Sequence, residues 1–269
     1  MGQDAGSPGA VQTSSVALLV LGIVHGACAQ VIPPSALPGL GPSSARAPVD
    51  VDRAPWRGVV RVQTEVGARC TGALVGPRAV LTAAHCLLGR GTGRLVRPGS
   101  VHVLAGYSRG GYAGHARVLS FAVGLGFAAG QDGQPLASVP PSADWAVLTL
   151  DAPLGTPDRV LPLLRGLPAP GTPAMLGGYE QDRAQVVLAD VACAVTGVAR
   201  DAAGRAMLRH SCAGTRGVSG APLLVRAGPD GRWAVAGIAS RADLDAPGGY
   251  AVPVAVLGPE ALAGAAPRE

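Results

Sequence analysis

Short apolar runs separated by glycine and proline dominate the pattern of hydrophobic and polar positions along this chain. Residues 73–75 and 79–82 form two such runs on either side of the turn pair Gly76-Pro77, which is typical of a β-hairpin. Further runs recur along the chain, at 58–64, 101–105, 116–123, 145–150, 174–177, 185–196, 207–211, 222–225, 233–240 and 250–254. Short strands at regular spacing predict an all-β fold of two antiparallel six-stranded β-barrels. The proline after Gly258 predicts a short C-terminal helix.

The composition supports this fold class. The chain has 269 residues, of which 48% are hydrophobic, so it is long enough to bury one or two substantial cores. It contains 40 glycines and 24 prolines, which favours turns and short elements over long helices. The positive part of the formal charge of +5 comes from scattered arginines, because lysine is absent. Nucleic-acid binding is therefore a weak interpretation, and a mildly basic solvated surface is favoured.

Two segments precede the predicted barrels. Residues 16–24 form an apolar stretch that is too short to span a bilayer, and Ala27-Cys28-Ala29 follows as a small-x-small cleavage pattern. We therefore assign 1–29 to a signal peptide, although no basic residue precedes its apolar stretch. Residues 30–54 are rich in Pro, Ser and Ala and predict a flexible lead-in or linker. The remaining predicted boundaries are a folded domain at 55–269, with barrels at about 55–155 and about 160–255.

Removal of the signal peptide leaves four cysteines, an even number that fits two disulfides in an exported protein. Pairing neighbours in sequence gives Cys70–Cys86 and Cys193–Cys212, one of three possible connectivities. Each bond would close a loop of roughly 15–20 residues, worth about 3 kcal/mol in the chain-entropy description. A zinc site is a weak interpretation because no Cys-x-x-Cys pair is present. We predict neither a metal nor another cofactor.

Three stretches carry residues suited to nucleophilic catalysis. His85 ends the run Thr-Ala-Ala-His-Cys, Asp144 begins an apolar run, and Ser219 lies in Gly217-Val-Ser-Gly. Each alone has an ordinary structural interpretation, as a core histidine, a turn or cap residue, and a glycine-rich turn. The glycines around Ser219 would also let the N–H groups of Gly217 and Ser219 point the same way, as in an oxyanion hole.

The order of these residues along the chain narrows the options. In serine-based catalysis a histidine takes the proton of the serine, and an acid orients the histidine. No histidine follows Ser219, which excludes the order Ser…Asp…His. An acid before His85, such as Asp50 or Asp52, would imply an α/β fold that the composition does not favour. The order His85…Asp144…Ser219 remains.

On these three motifs, over roughly residues 55–267, the chain resembles trypsin-like (chymotrypsin-fold) serine proteases. It resembles especially their secreted bacterial, glutamyl-endopeptidase-like branch. The resemblance implies His85 as general base and then acid, Asp144 as its orienting partner, and Ser219 as nucleophile. It also implies the N–H groups of Gly217 and Ser219 as oxyanion donors. The site would lie between the barrels, with His85 and Asp144 from the first and Ser219 from the second.

One departure from trypsin and its close relatives concerns activation. Those proteins carry an acid immediately before the serine, which pairs with a new N-terminus after zymogen cleavage. This chain has Val218 at that position. We therefore expect no activation through that ion pair, and removal of the signal peptide, with or without trimming of residues 30–52, is expected to suffice.

A second departure concerns the substrate pocket. The position six residues before the serine is Ala213 instead of an acid, and the other pocket positions fall near Ser240 and Gly248. Without an acid at the base of the pocket, we expect small or medium apolar side chains at P1, the substrate residue before the cleaved bond. His210 is interpreted as structural.

The sequence thus predicts a secreted or periplasmic serine endopeptidase that acts through an acyl-enzyme intermediate. Two alternatives stay open: a catalytically silent relative that binds protein, and an esterase with the same triad. The expected partners are protein or peptide substrates, with no nucleic acid and no stable membrane anchor. We expect a monomer.

Overall fold

The computed structural model describes residues 1–2, 37–41, 45–89, 91–130, 135, 137–244 and 246–258. The predicted signal peptide after its second residue, residues 30–36 of the lead-in, and the predicted C-terminal helix lie outside these described residues. By its internal contacts the chain divides into Met1–Val31 and Ile32–Glu269. The structure below is that of the second unit.

Strands dominate the described residues. They are β1 Ala47–Pro48, β2 Val59–Thr64, β3 Arg69–Gly76, β4 Ala79–Thr82, β5 Val101–Ala105, β6 Gly114–Val123, β7 Ala146–Leu150, β8 Pro173–Gly178, β9 Leu188–Arg200, β10 Ala206–His210, β11 Pro222–Ala227, β12 Arg232–Ala242 and β13 Gly249–Pro253. The helices are single 3₁₀ turns, at Trp56–Gly58, Ala84–Leu87, Pro98–Ser100, Pro141–Ala143, Gln181–Arg183 and Val254–Val256. Within the described part of the chain, no helix is long and apolar enough to cross a membrane.

The first barrel closes in the order β2-β3-β4-β7-β6-β5. All neighbours are antiparallel, and the pairing of β2 with β5 closes the ring, with Val62 opposite Val103. Both side chains point into an apolar interior that also contains Leu148. Closure leaves the barrel without a free strand edge.

The second barrel closes in the order β8-β9-β10-β13-β12-β11, with β11 paired to β8. Its interior contains Leu208 and Leu223, both fully buried. A shared apolar cluster that includes Trp56, Leu81 and Tyr179 joins the two barrels. The predicted fold of two antiparallel six-stranded barrels is confirmed.

Each barrel carries one disulfide. Cys70 on β3 is bonded to Cys86 in the 3₁₀ turn after β4, and Cys193 on β9 is bonded to Cys212 after β10. Both predicted disulfides are therefore present. The first one anchors the turn that holds His85.

The lead-in differs from the flexible segment that its composition predicts. β1 pairs with β9, with Ala47 opposite Ala189. The N–H of Val49 donates to the carbonyl oxygen of Val187 at 3.1 Å, and Val51 is buried. The folded structure therefore begins before residue 55, and its first residues belong to the second barrel.

Candidate active site

Two neighbouring strands of the first barrel bring His85 and Asp144 together. β4 and β7 pair antiparallel, with Thr82 opposite Ala146. His85 follows β4 in a 3₁₀ turn, and Asp144 follows another 3₁₀ turn just before β7. The end of one antiparallel strand lies beside the start of its neighbour, so the two side chains meet at the same rim of the barrel.

Asp144 accepts three hydrogen bonds at this rim. The backbone N–H of His85 donates to Oδ1 at 2.9 Å, and Nδ1 of the His85 ring lies 2.7 Å from Oδ2. Ser240, on β12 of the second barrel, donates its hydroxyl to Oδ2 at 2.5 Å. Asp144 is only 5% exposed, so these donors stabilise its charge in place of water.

The contact between His85 and Asp144 shifts the pKa of both groups. Burial raises the pKa of Asp144, but the His85 ring and the hydrogen bonds from His85 and Ser240 outweigh burial and hold this pKa below its usual value. Burial lowers the pKa of His85, but the charge and hydrogen bond of Asp144 outweigh it and raise this pKa. The pair therefore favours a ring that keeps its proton on Nδ1 and can accept another at Nε2.

Ser219 comes from the tight loop before β11 of the second barrel. Gly217 in this loop has a φ of 100°, which favours glycine, and a Cβ there would overlap the carbonyl oxygen of Tyr179. Among the described residues, no acceptor takes the backbone N–H of Gly217 or of Ser219. Two open donors in one loop are what an oxyanion hole requires.

The Ser219 loop lies against the first barrel, beside the turn that holds His85. The carbonyl oxygen of Ser219 accepts the N–H of Thr71 at 2.9 Å, and it lies 3.8 Å from Sγ of Cys86. Ser240 lines both the cavity at Ser219 and the cavity at His85 and Asp144. Within the described residues no hydrogen bond joins the Ser219 hydroxyl to the His85 ring, a contact that is often long in free enzymes.

A cavity of about 390 Å³ opens beside Ser219. Two of the predicted pocket residues, Ser240 and Gly248, line this cavity. Ala213 is buried, and its N–H donates to the carboxylate of Asp190 on β9 at 2.9 Å. Its place at the base of the substrate pocket stays a prediction.

His210 lines the same cavity, at the end of β10. His210 is 6% exposed, and neither of its ring nitrogens has a hydrogen-bond partner among the described residues. The hydroxyl of Thr215, which lines the same cavity, also has no partner among them. Burial lowers the pKa of His210 to about 4, so the ring is neutral at pH 7. Buried polar groups without partners are rare in folded proteins, so the ring of His210 is an unusual part of the lining of this cavity.

Sequence reasoning missed two contacts that support the site from a distance. Ser142, just before Asp144, donates its N–H at 3.1 Å and its hydroxyl to the carboxylate of Asp201, in the turn between β9 and β10. Glu180, after β8, accepts the N–H of Thr215 at 2.6 Å. Both contacts join residues far apart in sequence, so no local motif could have indicated them.

One group of potential metal ligands lies close together within the described residues. Its members are Cys70, His85 and Cys86, with ligand atoms within 4.8 Å of one another. Both sulfurs are bonded in a disulfide, and a metal needs cysteine as the free thiolate. The arrangement of these residues therefore does not fit a metal site.

Two closed antiparallel barrels, with a histidine–aspartate pair at the rim of one and a glycine-flanked serine from the other, define a protein of the chymotrypsin fold. The sequence matches the trypsin family over residues 46–257. This chain belongs to the trypsin family and is a serine-type endopeptidase, which confirms the predicted family.

A solved structure agrees with this fold. A structure described as a Glu endopeptidase in complex with MPD is similar to this chain with a TM-score of 0.63 and 20% sequence identity. The similarity covers 81% of this chain and 94% of that one. At this identity the comparison supports the fold. No curated protein sequence matches this chain significantly.

Proposed function

We propose that this protein is an active, exported endopeptidase that cleaves peptide bonds through an acyl-enzyme intermediate. The observation that carries the proposal is the 2.7 Å contact between His85 Nδ1 and Asp144 Oδ2. It lies beside a serine loop whose Gly217 and Ser219 N–H groups have no acceptor among the described residues. A polarised histidine and two open donors are the groups that acyl transfer needs.

The proposed mechanism follows the general serine-protease template. Ser219 Oγ attacks the carbonyl carbon of the peptide bond while His85 Nε2 takes its proton. The N–H groups of Gly217 and Ser219 stabilise the negative charge that develops on the carbonyl oxygen. His85 then gives its proton to the leaving amine, and water releases the acyl group by the same steps. Asp144 holds the ring in the required tautomer and stabilises its charged form.

The pocket supports a P1 side chain with a hydrogen-bonding end more than the purely apolar one expected from the sequence. His210 and Thr215 present unpartnered polar atoms to the cavity, and a substrate group that bonds to them would offset their desolvation. Arg216 and Arg241 line the same cavity, and no described lining residue is acidic. The name of the similar Glu endopeptidase agrees with a P1 glutamate.

Cleavage rates on a matched series of peptides with Glu, Gln, Leu or Arg at P1 test this preference. We expect Glu and Gln to exceed Leu and Arg in kcat/KM by about tenfold, since unmet hydrogen bonds in a pocket discriminate strongly. A His210→Leu variant should lose that ratio while it still cleaves the Leu peptide. A preference for Leu in the parent protein would restore the apolar expectation.

The two alternatives differ from the proposal in separate measurements. A silent protein-binding relative would have an unreactive Ser219 despite its intact motifs. An esterase would hydrolyse activated esters but leave the corresponding peptides uncut. The proposal also includes export after cleavage of residues 1–29, because the two disulfides are typical of proteins in oxidising compartments. N-terminal sequencing of the protein recovered outside the cell tests this cleavage.

Fluorophosphonate labelling of the exported protein, followed by digestion of an unstructured peptide library, tests the function. We expect one label on the parent protein and none on the Ser219→Ala variant, because the reagent needs an activated serine. Ser120→Ala, which changes a serine on β6 outside the site, is the control. Absence of labelling on the folded, disulfide-bonded protein would contradict the proposal.

A further inference from the structure

The loop that carries the oxyanion donors lacks the acid that organises it in trypsin and its close relatives. Val218 takes that position, so the residue before the serine contributes no charge. The loop at 214–217 must therefore be held by other contacts. The described residues show what those contacts are.

The segment after β8 forms the support under this loop. The carboxylate of Glu180 accepts the N–H of Thr215 at 2.6 Å, and the N–H of Gln181 donates to the carbonyl oxygen of Arg216 at 2.7 Å. The close approach of Gly217 to Tyr179 continues the same contact. A charged acceptor makes the bond to Thr215 stronger than a neutral one would.

Arg46, from the lead-in, supplies the countercharge for Glu180. Its Nη1 lies 2.5 Å from Glu180 Oε2, and its Nη2 lies 2.9 Å from Asp182 Oδ2. The side chains of Arg46 and Glu180 are 4% and 1% exposed, so neither charge is stabilised by bulk water. Burial raises the pKa of Glu180 to about 8, although the charge of Arg46 and the N–H of Thr215 oppose that shift. The direct contact with Arg46 favours the carboxylate form; loss of Arg46 would raise this pKa further and favour a protonated carboxyl, which is a weaker acceptor for Thr215.

The same lead-in also forms hydrogen bonds with residues that line the cavity. The N–H of Gly39 donates to the carbonyl oxygen of Asp243 at 2.8 Å, and the carbonyl oxygen of Gly39 accepts the N–H groups of Gly214 at 3.2 Å and Gly248 at 3.3 Å. Pro38 lines the cavity itself. Pro38 and Gly39 therefore contact the substrate cavity and the oxyanion loop directly, and Arg46 contacts the loop through Glu180.

We propose that Arg46 is a positioning residue for the peptidase reaction, which holds the Glu180 carboxylate so that Thr215 and Gly217 keep the oxyanion donors aimed at the substrate. The inference rests on the proposed function. Its consequence is that the lead-in from about residue 37 must remain in the mature enzyme, so trimming of all of residues 30–52 would remove Arg46 and lower activity. An internal guanidinium takes the place of a newly formed N-terminus, so the site is complete without a second cleavage.

The experiment compares Arg46→Gln and Arg46→Lys with the parent protein. We expect Arg46→Gln to lower kcat about tenfold or more with little change in KM, which is less than the 10²–10³-fold loss when an oxyanion donor is removed outright. Arg46→Lys should recover part of the loss, because it restores the charge without the second contact to Asp182. Arg53→Gln is the matched control, since Arg53 lies in the same segment with its side chain 82% exposed, and it should behave as the parent protein.

A double variant, Arg46→Gln with Glu180→Gln, separates positioning from the cost of an unpaired buried charge. It leaves no unpaired charge at the buried positions 46 and 180, and the remaining Asp182 is partly exposed. We therefore expect it to fold even if Arg46→Gln does not, with a kcat about tenfold below that of the parent protein. Parent-like kcat in a folded Arg46→Gln variant, or in the double variant, overturns the inference and leaves the proposed function intact. An inert parent protein that fluorophosphonate does not label overturns the proposed function and this inference with it.

Discussion

Replacing Asp144 by asparagine tests the acid–histidine pair while keeping its hydrogen bonds. In the folded protein, Asp144 Oδ1 accepts the backbone N–H of His85 at 2.9 Å. The amide oxygen of asparagine must keep this position, because an NH₂ group there would face another donor. The amide nitrogen then replaces Oδ2 and faces the His85 ring and the Ser240 hydroxyl, both of which can accept a hydrogen bond.

This geometry fixes the wrong tautomer of His85. A donor opposite Nδ1 moves the ring proton to Nε2, which then cannot take the proton of Ser219. In the general template, the same exchange lowers kcat about 10⁴-fold, or about 5.4 kcal/mol in activation free energy at about 1.36 kcal/mol per factor of ten. We expect a loss of the same order here, with little change in KM.

The pKa of His85 should change in a defined direction. Asp144 raises it in the parent protein against the effect of burial, so without the carboxylate burial dominates and the pKa falls below its usual value. Because kcat/KM rises as His85 loses its proton, the acid limb of the profile moves to lower pH in the variant. A structural disturbance of the site would not produce this shift.

The assay is kcat and KM for a chromogenic peptide across pH, together with thermal unfolding. Asp158→Asn is the control, since Asp158 is an exposed carboxylate that pairs with Arg57 at 2.6 Å. If Asp144→Asn kept kcat within about tenfold of the parent value, or lost activity only in proportion to lost folded protein, the assigned role of Asp144 would be refuted.

Three further variants test other contacts. Gly220→Ala should lower the free energy of unfolding by about 2 kcal/mol or more, because φ is 81° and a Cβ would overlap Thr71 O and Thr82 Oγ1. Thermal unfolding measures this loss. The control Gly197→Ala, at a glycine with open space around it, should lose less stability. His210→Leu should make the protein less sensitive to acid. The folded pKa of His210, about 4, lies below its unfolded value, so the free energy of unfolding of the parent protein falls by up to about 3 kcal/mol between about pH 6.5 and pH 4. Denaturant midpoints that fall equally in both proteins would exclude this. Asp201→Asn should lower kcat a few-fold by weakening its hold on Ser142; unchanged kinetics would show that this contact does not position Asp144.

The fold and the residues proposed for catalysis were predictable because their signals are local. His85, Asp144 and Ser219 each lie in a stretch whose neighbours identify it, and their order along the chain excludes other arrangements. The strands were predictable for the same reason, since apolar runs between glycines and prolines mark them directly. The start of β9 was predicted three residues too early, because residues 185 and 186 form a turn and a bend and the strand begins at Leu188.

The remaining parts of the site depend on contacts between distant residues. The composition of the lead-in, rich in Pro, Ser and Ala, predicts a linker. No residue near Arg46 in the sequence indicates that Arg46 pairs with Glu180. The sequence also does not show on which face of β10 His210 lies, because a β-bulge changes the register between Arg209 and His210. The bond between the N–H of Ala213 and Asp190 joins residues 23 apart in sequence, so it could not be predicted either.

The position of Arg46 near the start of the chain also sets the order in which the molecule can be completed. Its partner Glu180 is 134 residues away in sequence, and β1 has no strand to pair with until β9 has been synthesised. The first barrel can close as soon as its own strands exist, but the lead-in must wait for the second. Under the proposed role of Arg46, the peptidase site is therefore complete only after the second barrel has formed its contacts with the lead-in.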